Sequence, residues 1–282
     1  MAKIYAVIGT KGGTGKTSTT VNLGSILADM GKSVLLIDTD FAQALSKYFN
    51  IPFPANAGLT QLITRADPAG CISQTGFPRL DIILNDDSLG DKGGPVLSFL
   101  RQSSSHMIYL SLALQKLAEA YDYMFIDTQG ASGLVQEAAI LAADELISPV
   151  VPNYLDSTEF ITGTVGLLRK LLPAPGMKTT IAGKPLAPCN VVINKMGRTR
   201  DAKNVVDHLR KEFDEAGDGL VRVLNTVIPD LAVYNKAAGA SEAAHHFEPA
   251  RPTYSPSAKE TMVNLAYELQ PKLTGTEPAW EV

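Results

Sequence analysis

Residues 4–17, Ile-Tyr-Ala-Val-Ile-Gly-Thr-Lys-Gly-Gly-Thr-Gly-Lys-Thr, constrain the fold more than any other stretch. Ile4 to Ile8 form an apolar, β-prone run, and the glycines beyond it free the backbone for positive φ values and close approach. Successive N–H groups in such a turn converge on an anion. A helix opening at Lys16 and Thr17 aims the positive end of its dipole at the same point. The order strand, glycine turn, helix therefore reads as a phosphate-binding loop of Gly12, Gly13, Thr14, Gly15, Lys16, Thr17 and Ser18. Lys16 supplies a point charge and Thr17 a hydroxyl for Mg²⁺. The ordinary pattern G-x-x-x-x-G-K-[ST] asks for glycine where Thr10 stands, and Lys11 adds a second lysine ahead of the glycines.

A chain of 282 residues, 45% hydrophobic and 19% charged, has material for one large α/β core. No stretch is long and apolar enough to cross a bilayer. The N-terminus runs straight into the first strand, which leaves no room for a signal peptide or an amino-terminal DNA-reading domain, so a soluble cytoplasmic protein is expected. Cys71 and Cys189 stand far apart without metal-type spacing and read as buried, reduced thiols. A formal net charge of -4 argues against a protein that coats nucleic acid by being basic overall.

The apolar periodicity predicts a helix over 18–30 closed by Gly31, then a buried strand at Val34 to Ile37 ending in Asp38-Thr39-Asp40. Strand, helix, strand makes a right-handed βαβ unit. Helices follow at 41–49 and 59–64, a strand at Leu80 to Leu84, a loop at 85–94 and a helix over about 106–121. A strand at Tyr123 to Ile126 is closed by Asp127. The alternation continues with a helix at 133–142, a strand at Glu145 to Val150 and a helix over 157–172. Last come a strand at Val191 to Asn194, a helix at 201–213, a strand at Val221 to Val227 and a helix at 257–269. The sum is a single α/β domain over 1–273, a doubly wound, mostly parallel sheet flanked by helices with its ligand at the carboxyl ends of the strands. Residues 274–282 read as an acidic flexible tail.

Asp38, Asp40 and Asp127 fall at carboxyl ends of predicted strands. Hydrolysis of a γ-phosphate needs Mg²⁺ across the β- and γ-oxygens, a group that orients water, and positive charge at the bridging oxygen. Thr17 and Asp127 suit the metal, Asp40 the water, and Lys16 with Lys11 the developing charge. The blander reading of any one acid is a helix cap or loop residue.

Lys11-Gly-Gly-Thr-Gly-Lys-Thr17 resembles the deviant Walker A motif K-G-G-x-G-K-[ST] of the ParA/Soj/MinD ATPases. Val34-Leu-Leu-Ile-Asp-Thr-Asp40 resembles their Walker A′ segment, and Phe125-Ile-Asp-Thr-Gln-Gly130 their Walker B, with Gln129 where the family often has proline. Leu146 to Tyr154, Val191 to Asn194, Thr226 to Pro229 and Tyr254 to Ser257 follow in the family's order, and Leu45 to Phe49 with Ser255 to Met262 look most like ParA proteins of plasmids and integrative conjugative elements. The resemblance implies a P-loop NTPase fold of the deviant Walker A type, ATP and Mg²⁺ as cofactors, and an ATP-dependent sandwich homodimer. Within it Lys11 is the signature lysine that reaches the partner's phosphates. It implies Asp40 for hydrolysis, Asp38 for coupling nucleotide to the dimer, Asp127 as the Walker B acid, and Asn194 and Pro229 beside the adenine. It further implies a ParB-like centromere-binding partner that stimulates hydrolysis, no membrane partner, and nucleoid association of the ATP form.

Between Arg169 and Lys211 ten basic residues face two acids. The blander reading is a solvated helix face; the functional one is a phosphate-contacting surface for non-specific DNA, with Arg198, Arg200, Lys203, Arg210 and Arg222 as candidates. Asp230 stands where many relatives carry a basic residue. His245-His246, with no acidic partner at useful spacing, read as surface residues. Rival classes share the loop. A MinD-like positioning ATPase needs a basic amphipathic carboxyl-terminal helix, which Thr274 to Val282 does not supply. An iron–sulfur reductase needs paired cysteines, whereas an ATP-dependent ligase needs only a substrate pocket and stays open.

Overall fold

A computed structural model of the protein describes residues 1–280 apart from 88–91, 93, 218 and 252–254. Tyr254, part of the expected 85–94 loop and the last two residues of the tail lie outside the described residues. The strands are β1 (Lys3–Val7), β2 (Val34–Asp38), β3 (Ile72–Gln74), β4 (Leu80–Ile83), β5 (Tyr123–Asp127), β6 (Glu145–Val150), β7 (Cys189–Met196) and β8 (Val221–Pro229). They form one sheet in the order β3-β4-β2-β5-β1-β6-β7-β8. All neighbours run parallel except β3, which pairs antiparallel with β4 at the edge. The helices are α1 (Lys16–Asp29), α2 (Leu59–Thr64), α3 (Pro95–Gln102), α4 (Tyr109–Gln115), α5 (Leu134–Ala142) and α6 (Tyr154–Glu159). They continue as α7 (Gly166–Leu171), α8 (Arg200–Ala216), α9 (Ala232–Gly239), α10 (Ala244–Phe247) and α11 (Ala258–Leu269).

Helices cover both faces, so the central strands β2 and β5 are buried at every residue and read as unbroken apolar runs. Alternate side chains of β1 enter different cores. Ile4 and Ala6 join the cluster under α2 to α5, while Tyr5 and Val7 join the one under α1 and α11. Tyr5 stacks on Phe125 there at a centroid distance of 5.2 Å. The register sets Val7 and Asp38 on either side of Asp127, so the acids and the loop after β1 share one end of the sheet. That end is the crevice where a doubly wound sheet binds its ligand.

The observed elements depart from the expected ones at instructive places. Residues 41–49 are turns rather than a helix, because the Asp38 carboxylate accepts the N–H groups of Asp40 and Ser46 and Gln43 takes a positive φ. The 106–121 helix is a 3₁₀ turn, Ser104–Ile108, followed by the short α4. The 157–172 helix begins earlier, at Tyr154, and winds through a π stretch, Phe160–Val165. The antiparallel β3 and the four-residue α10 are too short to show a periodicity; α9 and the amphipathic α3, which buries Val96, Leu97 and Leu100, are elements not expected from the sequence. Residues 274–280 are irregular but docked: Ala279 N–H donates to the Asp29 carbonyl, Thr276 accepts from the Tyr267 hydroxyl, and Trp280 packs on His245 and His246. Among the described residues no helix is long and apolar enough to cross a membrane. Both cysteines are buried, which pushes Cys71 up to about 11 and Cys189 up to about 12 and leaves the thiols inert.

Candidate nucleotide site

At the start of α1 the glycines do what the loop requires. Gly13 and Gly15 sit at φ +77° and +98°, where a side chain is strained. A Cβ on Gly15 would stand 2.0 Å from the Asn194 amide nitrogen, and one on Gly130 2.7 Å from the Gly12 backbone. The loop is thus clamped between β7 and the turn after β5. No side chain caps α1, so its first N–H groups stay free for an anion. The cavity over them measures about 340 Å³ and is lined by Gly12, Gly13, Gly15, Lys16, Thr17, Ser18, Asp40, Asn194 and Pro229 among others.

Lys16 is buried, with its Nζ donating to the Lys11 carbonyl at 3.0 Å. Burial lowers its pKa, and the charges of Asp127 and Asp40 oppose the shift. An anion in the cavity would take over that opposition. Thr17 donates its hydroxyl to Asp127 Oδ2 at 2.6 Å, and Thr20 reaches the other oxygen at 3.4 Å. Asp127 is fully buried, and burial pushes it up to about 8. A hydroxyl and a carboxylate, both hard oxygen donors, with burial outweighing the opposing charge of Lys16 on the carboxylate, fit Mg²⁺.

Asp38 and Asp40 divide their work. Asp38 is sealed in, accepts from the backbone of Asp40 at 2.9 Å and of Ser46 at 2.7 Å, and burial raises it to about 6. It organises the turn that presents Asp40, whose carboxylate lies at the cavity. Thr14 and Asp127 stand behind the lining. Asn194 gives its amide to the Thr14 carbonyl at 2.7 Å and so braces the loop as well as lining the cavity.

Lys11 points elsewhere. Its ammonium pairs with Asp156 on α6, outside its own nucleotide cavity. The departure at Thr10 is explained beside it: its hydroxyl donates to Glu159 at 2.9 Å and its N–H to Thr164 Oγ1 at 3.2 Å. Asp156, Glu159 and Thr164 were invisible to motif reading, as was Lys195, which at φ +53° donates to the Gly13 carbonyl at 3.1 Å. A lysine following the strand-end asparagine was the available signal.

The basic stretch splits in two. Arg198, Arg200 and Lys203 are exposed at the start of α8, on the cavity end of the sheet. Arg210 donates to the Leu224 carbonyl, and Arg222, at the opposite end of β8, gives two hydrogen bonds to Asn190 Oδ1. The structure therefore does not bring all five into one patch.

A family model described as an AAA domain, AAA_31, matches residues 2–171. The chain is 31% identical over 278 residues to the sporulation initiation inhibitor protein Soj of Bacillus subtilis strain 168, covering 95% of this chain and 98% of that one. It is 32% identical over 153 residues to a virulence plasmid ParA family protein of Chlamydia psittaci, 54% of this chain and 58% of that protein. The septum site-determining protein MinD of Pyrococcus horikoshii OT3, solved with Mg-ADP, superposes with a TM-score of 0.68 at 25% identity, over 98% of each chain. The family model spans more than half of the chain and the likeness to Soj runs along nearly the whole of both proteins: the chain belongs to the ParA/Soj/MinD family of P-loop ATPases.

Proposed function

We propose that this chain is a ParA-type partition ATPase that, with ATP and Mg²⁺, forms a sandwich homodimer, binds DNA without sequence preference, and is stimulated by a ParB-like centromere-binding partner to segregate or maintain a plasmid, mobile element or chromosome. On this reading it is cytoplasmic and gathers on the nucleoid when ATP is bound.

The observation that supports it best is the division between the two lysines. Lys16 is buried in its own phosphate loop, whereas Lys11 is carried outside its own cavity to Asp156. A cation that cannot serve its own nucleotide without leaving that partner suits a phosphate arriving from a second copy. The γ-phosphate then becomes part of the dimer seam, and its loss on hydrolysis opens the seam.

Thr17 and Asp127 would hold Mg²⁺, which supplies charge neutralisation across the transferred phosphate. Asp40 orients the attacking water, Lys16 steadies the phosphate, and Asn194 and Pro229 flank the base. For DNA, Arg198, Arg200 and Lys203 carry the reading; Arg210 and Arg222, spent on Leu224 and Asn190, contribute less. A dimer doubles the exposed trio, which makes binding steep in salt.

The test is binding to an unrelated duplex without nucleotide, with ADP, with ATP and with a slowly hydrolysed analogue, at two salt concentrations. ATP-dependent, salt-sensitive binding is expected, and binding indifferent to nucleotide would sink the switch. Replacing Arg198 and Arg200 together should weaken it roughly tenfold while basal hydrolysis persists. Unchanged affinity would move the surface elsewhere.

A further inference from the structure

At the far end of α1 from the nucleotide, three ligand-type side chains meet. Asp29 is the last residue of α1, and His245 and His246 begin the short α10, more than two hundred residues away in sequence. Both Nε2 atoms point at the same oxygen, Asp29 Oδ2, from 2.6 Å for His245 and 2.7 Å for His246. The three ligand atoms lie within 4.8 Å of one another. His245 is fully buried and His246 only 17% exposed, so these are not the surface residues their lack of spaced partners suggested.

The surroundings hold the trio in place. Ala244 N–H donates to the Asn22 side chain of α1 at 2.8 Å, and Ala279 N–H to the Asp29 carbonyl, so α10 and the tail are both tied to α1. Trp280 packs edge-on to His245 and tilted on His246, and Phe77 also stacks on His246. A separate cavity of about 740 Å³ opens at Asp29, Glu242, His246 and Trp280, with room for water on the exposed side of the trio.

Two features point to a cation between these atoms. His246 Nδ1 lies 2.7 Å from Glu242 Oε1, so that nitrogen carries the hydrogen and donates it to the carboxylate. His246 Nε2 and Asp29 Oδ2 stand at hydrogen-bond distance, so without an ion a proton lies between them. An ion that displaces that proton leaves an imidazole whose remote N–H is held by a carboxylate, the arrangement of metal-bound histidine. Second, two nitrogens and one carboxylate oxygen form the donor set of borderline divalent ions such as zinc, and not of Mg²⁺ or Ca²⁺.

We propose that Asp29, His245 and His246 bind one divalent transition-metal ion, zinc foremost, with Glu242 orienting His246 and an open coordination position facing the cavity. Ligand atoms around tetrahedral zinc at about 2.1 Å stand roughly 3.4 Å apart. The Asp29 oxygen must therefore move back from the two imidazoles by roughly 0.7 to 0.8 Å, on the side where the cavity opens. The ion would brace the end of the phosphate-loop helix against α10.

The experiment uses the full chain, stripped with chelator and then saturated with Mg-ADP so that the oxygen donors at Thr17 and Asp127 are engaged. Zinc is titrated in competition with a chromophoric chelator, and Co²⁺ is followed by its visible absorption. One saturable ion per chain is expected, with Co²⁺ bands of four- or five-coordinate intensity and a melting temperature that rises with zinc. Asp29→Asn and His246→Gln should bind roughly tenfold or more weakly, and Glu242→Gln should also lose affinity. Circular dichroism and ADP affinity serve as checks of folding. Should a ligand variant misfold, Glu242→Gln at the cavity rim decides in its place. Absence of a saturable ion in the wild type, or binding that these variants leave unchanged, overturns the site.

Discussion

The two ends of α1 hold opposite kinds of chemistry. At its start, backbone N–H groups, a lysine and hard oxygens assemble from a contiguous loop and two strand ends. At its finish, Asp29 meets two imidazoles from the distant α10. The first end is built by local backbone geometry, which glycines announce in sequence. The second is built by docking of remote segments: Glu242, four residues before His246, is the one local sign, and Asp29 arrives only with the fold.

The largest effect that separates the ends comes from Lys16→Ala. Nucleotide affinity should fall by roughly a hundredfold or more in titration calorimetry, since a buried charge on the phosphates is lost, while zinc titration stays as in the wild type. Loss of both would mean that the helix transmits damage from one end to the other.

Asp127→Asn comes next. Mg²⁺-dependent hydrolysis should become undetectable in a phosphate-release assay, yet the nucleotide-free protein should melt a few degrees higher, because burial disfavours the carboxylate and an amide oxygen still accepts from Thr17. A lower melting temperature would show that the charge is already compensated.

Asp40→Ala should keep the ATP dimer, seen by size-exclusion chromatography with light scattering, and stop turnover. A monomer in ATP would remove Asp40 from the hydrolytic role. Asp156→Ala should act in the other direction and more mildly. Freed from its intramolecular partner, Lys11 should support dimers in ATP at a protein concentration a few-fold lower, and an unchanged dimer constant would make the pair incidental.

The smallest effect is a slope. Asp38 has a folded pKa of about 6, above its unfolded value near 3.9, so the folded chain binds this proton first as pH falls. Its contribution to stability therefore declines as pH rises from about 4 to about 6 and is level above that. Denaturant midpoints across that window should decline more steeply for wild type than for Asp38→Asn. Parallel curves would mean that Asp38 is ionised at the bottom of the window.

Much of the nucleotide end was legible because its signals are short-range. Continuous apolar runs marked β2, β5 and β6, a glycine marked the end of α1, and acids at strand ends marked the crevice. The 41–49 segment failed because a single buried carboxylate outbid helix propensity by capturing two backbone N–H groups. The basic candidates failed to form one patch because composition is blind to which arginines the fold already engages and at which end of the sheet: Arg210 bonds the Leu224 carbonyl and Arg222 the Asn190 side chain. His245 escaped notice for the same reason in reverse, since its partner lies 216 residues away.

The π stretch at Phe160–Val165 carries one more consequence. A π turn takes about one residue more than an α turn, and one residue is about 100° of helical phase. That offset turns Glu159 and Thr164 together toward Thr10, and Gly163 leaves no Cβ in the way, where one would stand 2.3 Å from both Thr10 and Glu159. The widened coil acts as a timing mark between α6 and α7. Deleting one residue within it would rotate α7 against its packing surface or swing Asp156 off Lys11, so the length of this segment, and not only its composition, sets where the second lysine of the loop is parked.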